Sequence, residues 1–202
     1  MSIVLLKNTK LMSKIKYFHK ENKRDILDII LFGSSVRGKE KPEDIDLLLI
    51  YKDKIILDLS YKLRKMIEEH NLKVEIISKT YNESFSSTFL ARTSILSEGF
   101  SITRNNGIAE GFGYSNFMLY KYSLKGFSKS DRMRFYYSLY GRNGNNGIIK
   151  NLNLSKFSGT ILLSSIDKSE QVKEFFENWK INYIEIPILI PTQIIKSSII
   201  KR

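Results

Sequence analysis

The chain has 202 residues, 42% of them hydrophobic and 27% charged, which suits one large domain or two small ones with real cores. It has no cysteine, so disulfides, cysteine-ligated zinc and thiol catalysis are excluded. The net charge of +12 is uneven. Residues 1–100 carry 18 basic and 14 acidic side chains, and residues 101–202 carry 15 and 7, so the second half is expected to meet a polyanion.

No apolar run approaches the roughly 20 residues needed to span a bilayer. Met1 to Lys7 lacks the positive segment and the small-residue cleavage pattern of a signal peptide. The expectation is a cytoplasmic protein with no membrane contact. Apolar residues at helical spacing predict a helix over Asn8 to Asn22, and the dense run Ile26 to Phe32 predicts a strand that stops at Gly33-Ser34-Ser35. A polar loop with Gly38 and Pro42 leads to a second strand, Ile45 to Tyr51. A helix follows over Leu57 to Asn71, and a third strand over Leu72 to Ser78. A single helix is expected from Glu83 to Ser97, then a short strand from Phe100 to Thr103. The Asn- and Gly-rich stretch Arg104 to Gly113 marks a domain boundary. Beyond it the pattern predicts helices over Tyr114 to Leu124 and Ser130 to Tyr140, and a flexible loop at Gly141 to Gly147. A strand at Thr160 to Ser165 and a helix at Ser169 to Lys180 follow, with Asp167 or Ser169 as N-cap. The last strand, Ile181 to Ile190, is confined to an edge or cut short by Pro187 and Pro191. His19 and His70 sit among charged neighbours and read as surface residues of helices.

The informative stretch is Leu31 to Ile50. A strand ends at Gly33-Ser34, where glycine allows close backbone approach and the following amides can face a phosphate. Asp44 and Asp46 then bracket Ile45 at the start of the next strand. Side chains at i and i+2 of a strand share a face, so the two carboxylates converge while Ile45 and Leu47 turn into the core. Parallel carboxylates repel unless a cation sits between them, and hard divalent ions with oxygen ligands, Mg²⁺ above all, meet that need. Glu75 lies in the third strand. If that strand lies beside the second, Glu75 reaches the pair as a ligand or as the general base of a two-metal site. An Asp-x-Asp alone is common by chance, and an isolated strand Glu more often faces solvent. The order and spacing of the set carry the signal.

Gly33-Ser34, Arg37-Gly38 and Asp44-Ile45-Asp46 together resemble the signature of the DNA polymerase beta-like nucleotidyltransferase superfamily, in particular its minimal nucleotidyltransferases. The resemblance covers Ile26 to Thr103, including Ser97-Glu98-Gly99 before the short strand. It implies a mixed sheet flanked by helices, Mg²⁺ (or Mn²⁺) at Asp44 and Asp46, and a nucleoside triphosphate held at Gly33 and Ser34 with Arg37 neutralising its charge. It also implies transfer of a nucleoside monophosphate to an acceptor hydroxyl with loss of pyrophosphate. Glu75 stands where the family commonly has Asp. Lys39 and Lys41, in the same loop, read as solvated lysines.

The expected fold class is therefore α+β, with a nucleotidyltransferase domain over 1–104 and a smaller basic α+β domain over 114–202. From Lys121 to Lys156 there are eight basic residues against one acid, Asp131, with tyrosines and phenylalanines interleaved. This pattern suits nucleic acid, with phosphates on cations and bases on aromatic rings, and Lys129, Arg132, Arg134 and Arg142 are its candidate contacts. The alternative acceptor is a protein hydroxyl (AMPylation, as in toxin–antitoxin minimal nucleotidyltransferases). A reading of another class is a non-catalytic nucleic-acid-binding module.

Overall fold

The computed structural model describes residues 8–39 and 43–196. The apolar start Met1–Lys7, together with Lys41 and Pro42, lies outside the described residues. These divide into two compact units that part between Phe112 and Gly113. No helix among them is long and apolar enough to cross a membrane.

In the first unit, helix α1 (Thr9–Glu21) is capped by the Asn8 side chain, which accepts from the Leu11 amide. Strand β1 (Ile26–Phe32) runs into a 3-10 turn at Gly33–Ser35, and β2 (Ile45–Tyr51) follows. Helix α2 (Leu57–Glu68) crosses over to β3 (Val74–Thr80), which pairs with β2 in parallel. Then come α3 (Tyr81–Ser84), α4 (Arg92–Glu98), β4 (Phe100–Ser101), β5 (Asn106–Gly107) and α5 (Ile108–Gly111). The five strands form a mixed sheet in the order β3-β2-β1-β4-β5.

Strand β2 has no exposed face. Ile45, Leu47, Leu49 and Tyr51 turn to one side, where the Tyr51 hydroxyl donates to the Ile56 carbonyl and meets Ser60 of α2. On the other side Leu48 packs with Ile30, Phe32, Phe89 and Ile95. Asp46 sits on this second side, at the end of the apolar row.

The helix expected over Glu83 to Ser97 is two helices. Thr80 and Glu83 form a reciprocal capping box that starts α3 at Tyr81. Ser86 and Thr88 then bond to each other through their side chains, and the Thr88 amide donates to the Ser86 hydroxyl. The backbone is diverted from the helix there.

The second unit begins with β6 (Tyr114–Ser123), a strand where the sequence pattern predicts a helix. Met118, Tyr120, Tyr122 and Leu124 are buried at a period of two, with Lys121 and Ser123 exposed between them. Helix α6 (Lys129–Tyr140) follows, capped by Ser128. The stretch read as a flexible loop is a tight hairpin of β7 (Gly141–Arg142) and β8 (Asn145–Asn146). Its turn residues, Asn143 and Gly144, both have positive φ. Then come α7 (Ile148–Asn151), β9 (Ser155–Ser158), β10 (Ile161–Ser165), α8 (Ser169–Asn178), β11 (Asn182–Pro191) and α9 (Thr192–Lys196). Neither expected cap serves α8: Lys168 holds the N-cap position, and Ser169 is the first helical residue.

The four long strands pair antiparallel in the order β11-β6-β10-β9, the split βαβ arrangement in which both main helices cover one face. Strand β11 is at the edge, where proline is tolerated. The core is aromatic. Phe135 of α6 lies 5.6 Å from Tyr122 and 5.6 Å from Trp179, and Phe176 of α8 lies 5.4 Å from Tyr122. Burial among these rings pushes the Tyr122 hydroxyl up to about 12.

Phe135 is fully buried, so Phe135→Ala removes a large ring from a site with little room to collapse. The expected loss is about 3–5 kcal/mol, read by urea denaturation through Trp179, the chain's one tryptophan.

Candidate metal centre

The site is built by strand register. Phe32 of β1 pairs with Asp46, and Asp46 pairs in turn with Glu75 of β3. Partners across a ladder share a face. Asp44, two residues before Asp46, joins them. One carboxylate oxygen from each of Asp44, Asp46 and Glu75 lies within 4.8 Å of the others. Asp44 and Asp46 are half-buried, and Glu75, at the start of its strand, is exposed.

The crowding shows in the protonation of Asp46. Its carboxyl is held above its ordinary value, first by burial, then by the charges of Asp44 and Glu75, while Arg37 acts in the opposite direction. An all-oxygen, all-carboxylate donor set suits a hard divalent cation such as Mg²⁺ or Mn²⁺.

Gly33 is fixed by two constraints. Its φ is +76°, and a Cβ built on it would fall 2.1 Å from Oδ2 of Asp46. The absence of a side chain is what lets the carboxylate lie against the turn. The Ser35 hydroxyl donates to the Asp44 carbonyl at 3.3 Å, which ties the turn to the start of β2. Ser34, between them, is half-buried.

Arg37 makes a contact that no sequence pattern predicts. Its guanidinium forks onto Glu98 of α4, Nε to Oε2 at 2.8 Å and Nη2 to Oε1 at 3.1 Å. Glu98 is 4% exposed, so the pair neutralises a buried charge beside the site. Asp28, a lone acid in the apolar run of β1, is also buried. It accepts from Ser101, Thr103 and the Ile29 amide, with Arg104 at 3.6 Å. An acid inside such a run is a visible signal; its hydroxyl partners, 73 and 75 residues away, are not. Among the described residues, Lys39 makes an exposed ion pair with Glu43 at 3.7 Å, a contact of little energetic weight.

In the second unit, Lys129, Arg132 and Arg134 lie exposed on α6, and Arg142 lies on the hairpin beyond its far end. Arg132 donates to the Phe127 carbonyl, and Arg134 lies 3.7 Å from Asp131. His19 and His70 are half-buried, with His70 Nε2 3.2 Å from Lys14 Nζ.

Residues 13–106 match the family described as Polymerase beta, Nucleotidyltransferase. The match lies within the first unit and covers β1 to β4 together with the carboxylate trio. Two solved structures are similar to part of the chain. One is of the toxin–antitoxin MntA-HpeT in a mutant form: 19% identity, 45% of this chain, 71% of that chain, TM-score 0.36. The other is a tri-AMPylated Shewanella oneidensis HEPN toxin in complex with MNT antitoxin: 20% identity, 46% of this chain, 68% of that chain, TM-score 0.33. No curated protein matches.

Two outcomes follow from the site's electrostatics. Because the folded-state titration of Asp46 is raised, its contribution to stability is full below the unfolded value, near 3.8, and is lost as pH rises through the folded value. Metal-free protein therefore weakens above that range. Asp46→Asn removes the slope and raises Tm near pH 7 by about 1–4 °C, while the gain in Tm on adding Mn²⁺ is smaller than in wild type, as thermal scans across pH would record. Arg37→Ala strands the Glu98 charge and costs about 3 kcal/mol by chemical denaturation; Arg37→Ala/Glu98→Gln recovers much of it.

Proposed function

We propose that the chain is a divalent-metal-dependent nucleotidyltransferase that moves a nucleoside monophosphate from a nucleoside triphosphate to a hydroxyl on a nucleic acid. The observation that carries this reading is the parallel register of β2 and β3, which brings Asp44, Asp46 and Glu75 to within 4.8 Å. Asp44 and Asp46 would hold the ions. A bound pair of Mg²⁺ or Mn²⁺ ions supplies a positive clamp for the triphosphate and lowers the pKa of the attacking hydroxyl.

The chain's own groups do the rest. The turn at Gly33 and Ser34 offers backbone amides to the phosphates. Glu75, the exposed member of the trio, takes the proton of the acceptor hydroxyl or shares in ligation. The acceptor oxygen bonds to the α-phosphorus as the bond from that phosphorus to the bridging oxygen breaks, and pyrophosphate leaves. Arg37, held on Glu98, offsets the negative charge beside Asp46.

The basic second unit favours a nucleic-acid acceptor, because eight cations face one acid between residues 121 and 156. A protein hydroxyl is the alternative drawn from the family resemblance, and a non-catalytic binding module is the other. One experiment separates them. Purified protein, Mg²⁺ or Mn²⁺ and each labelled triphosphate are offered cellular RNA, single-stranded DNA or lysate protein. Label is expected on nucleic acid, with activity lost by at least a hundredfold in Asp44→Asn/Asp46→Asn and strongly reduced in Glu75→Gln. Label on protein instead would overturn the acceptor, and no transfer from any triphosphate would overturn the enzyme.

A further inference from the structure

Helix α6 buries Phe135 and Leu139, and its opposite face is neither polar nor neutral. Lys129, Met133, Tyr136, Tyr137 and Tyr140 follow one another at intervals of four, three, one and three residues, which places them along one stripe. Met133 is 48% exposed and Tyr140 44%; Tyr136 and Tyr137 are half-buried. Solvated helix faces ordinarily carry short polar or charged side chains, so a row of part-exposed tyrosines beside an exposed methionine points to a ligand.

Cations from other elements come to this row. The Arg142 guanidinium of the β7–β8 hairpin lies 4.4 Å from the centroid of the Tyr137 ring, and Lys156 Nζ of β9 lies 5.2 Å from that of Tyr140. Among the described residues no carboxylate pairs with either cation; Asp131, the one acid between residues 121 and 156, bonds Ser128 and pairs with Arg134. The Tyr136 and Tyr140 rings are 6.0 Å apart and inclined by 31°. That separation is about twice the 3.4 Å base step of a duplex strand, and so fits bases that have been drawn apart.

We propose that this face of α6, extended by Arg142 and Lys156, is a stacking track for single-stranded nucleic acid, with bases on Tyr136 and Tyr140 and phosphates on the flanking cations. A duplex fits poorly, because its bases are stacked on one another and only their edges reach the grooves. A ring row flanked by unneutralised cations matches a ligand with π faces and a repeating negative charge. The track deepens the nucleic-acid reading of the acceptor and rests on it only for the strand's role as acceptor; binding itself needs no catalysis.

The test is fluorescence anisotropy of the full chain with labelled oligo(U) and oligo(dT), and with a duplex of equal length, at several salt concentrations. Single strands are expected to bind at least tenfold more tightly than duplex. Tyr136→Ala and Tyr140→Ala should each weaken binding about tenfold, within the range for one stacked base, and the Phe variants should restore it. Arg142→Gln and Lys156→Gln should each reduce the salt slope by about 1. Trp179 fluorescence checks that each variant is folded. Asp44→Asn/Asp46→Asn should bind strand as wild type does while failing to transfer. Equal affinity for duplex, Ala variants that bind as wild type, or capture of a protein but no strand by this face would each overturn the track. Transfer onto another acceptor without strand binding would sink the track and leave the enzyme standing.

Discussion

Mutual repulsion of three carboxylates is the constraint around which the first unit is arranged. Asp44 and Asp46 share a face because they are two apart on one strand, and Glu75 is delivered to them by the parallel pairing of Asp46 with Glu75. That pairing depends on α2 crossing from β2 to β3, and therefore on the packing of Leu63 and Ile67, both fully buried. The cost of holding the carboxylates together is visible in the raised titration of Asp46. It is offset in the metal-free protein by the apolar packing of the sheet on both faces.

Other acids in the same unit are handled in a different way. Glu98 is closed off by the fork of Arg37, and Asp28 by two hydroxyls, an amide and Arg104. These are buried charges with partners of their own, which is the usual condition for keeping them. The trio instead face one another, at the open end of β2 and β3. Glu98 and Asp28 have donors within hydrogen-bond reach, whereas Asp46 meets chiefly the like charges of Asp44 and Glu75, with Arg37 acting against them.

How much of this was legible follows from how local each feature is. Asp44 and Asp46 could be placed on one face because a two-residue spacing fixes direction within a strand. The end of β1 could be placed because Gly33 interrupts an apolar run. The mixed sheet and the α+β class followed from the resemblance those residues carry, and the domain match over 13–106 agrees. Strand β6 was misread because Phe117 and Leu119 add apolar side chains to its second face. The period of two in Met118, Tyr120 and Tyr122 is diluted into a run that reads as helical. The break after α3 was hidden in Ser86 and Thr88, whose hydroxyls bond each other only once the chain has turned. The Arg37–Glu98 fork spans 61 residues, and no local pattern encodes a contact at that range.

The two units also divide the work of charge. A carboxylate trio without a cation repels any phosphate, so in the proposed reading ion binding would precede or accompany substrate binding at that site. The second unit has the opposite sign and needs no ion to attract an anion. A basic surface by itself would hold any polyanion, duplex or single-stranded, with an affinity set by salt. Discrimination between strands comes from groups that salt does not screen, and the part-exposed rings of α6 would be of that kind in the proposed reading. In the proposed reading, chemistry and acceptor choice would then draw on different forces: electrostatics relieved by a cation in the first unit, and ring contact over a background of phosphate attraction in the second.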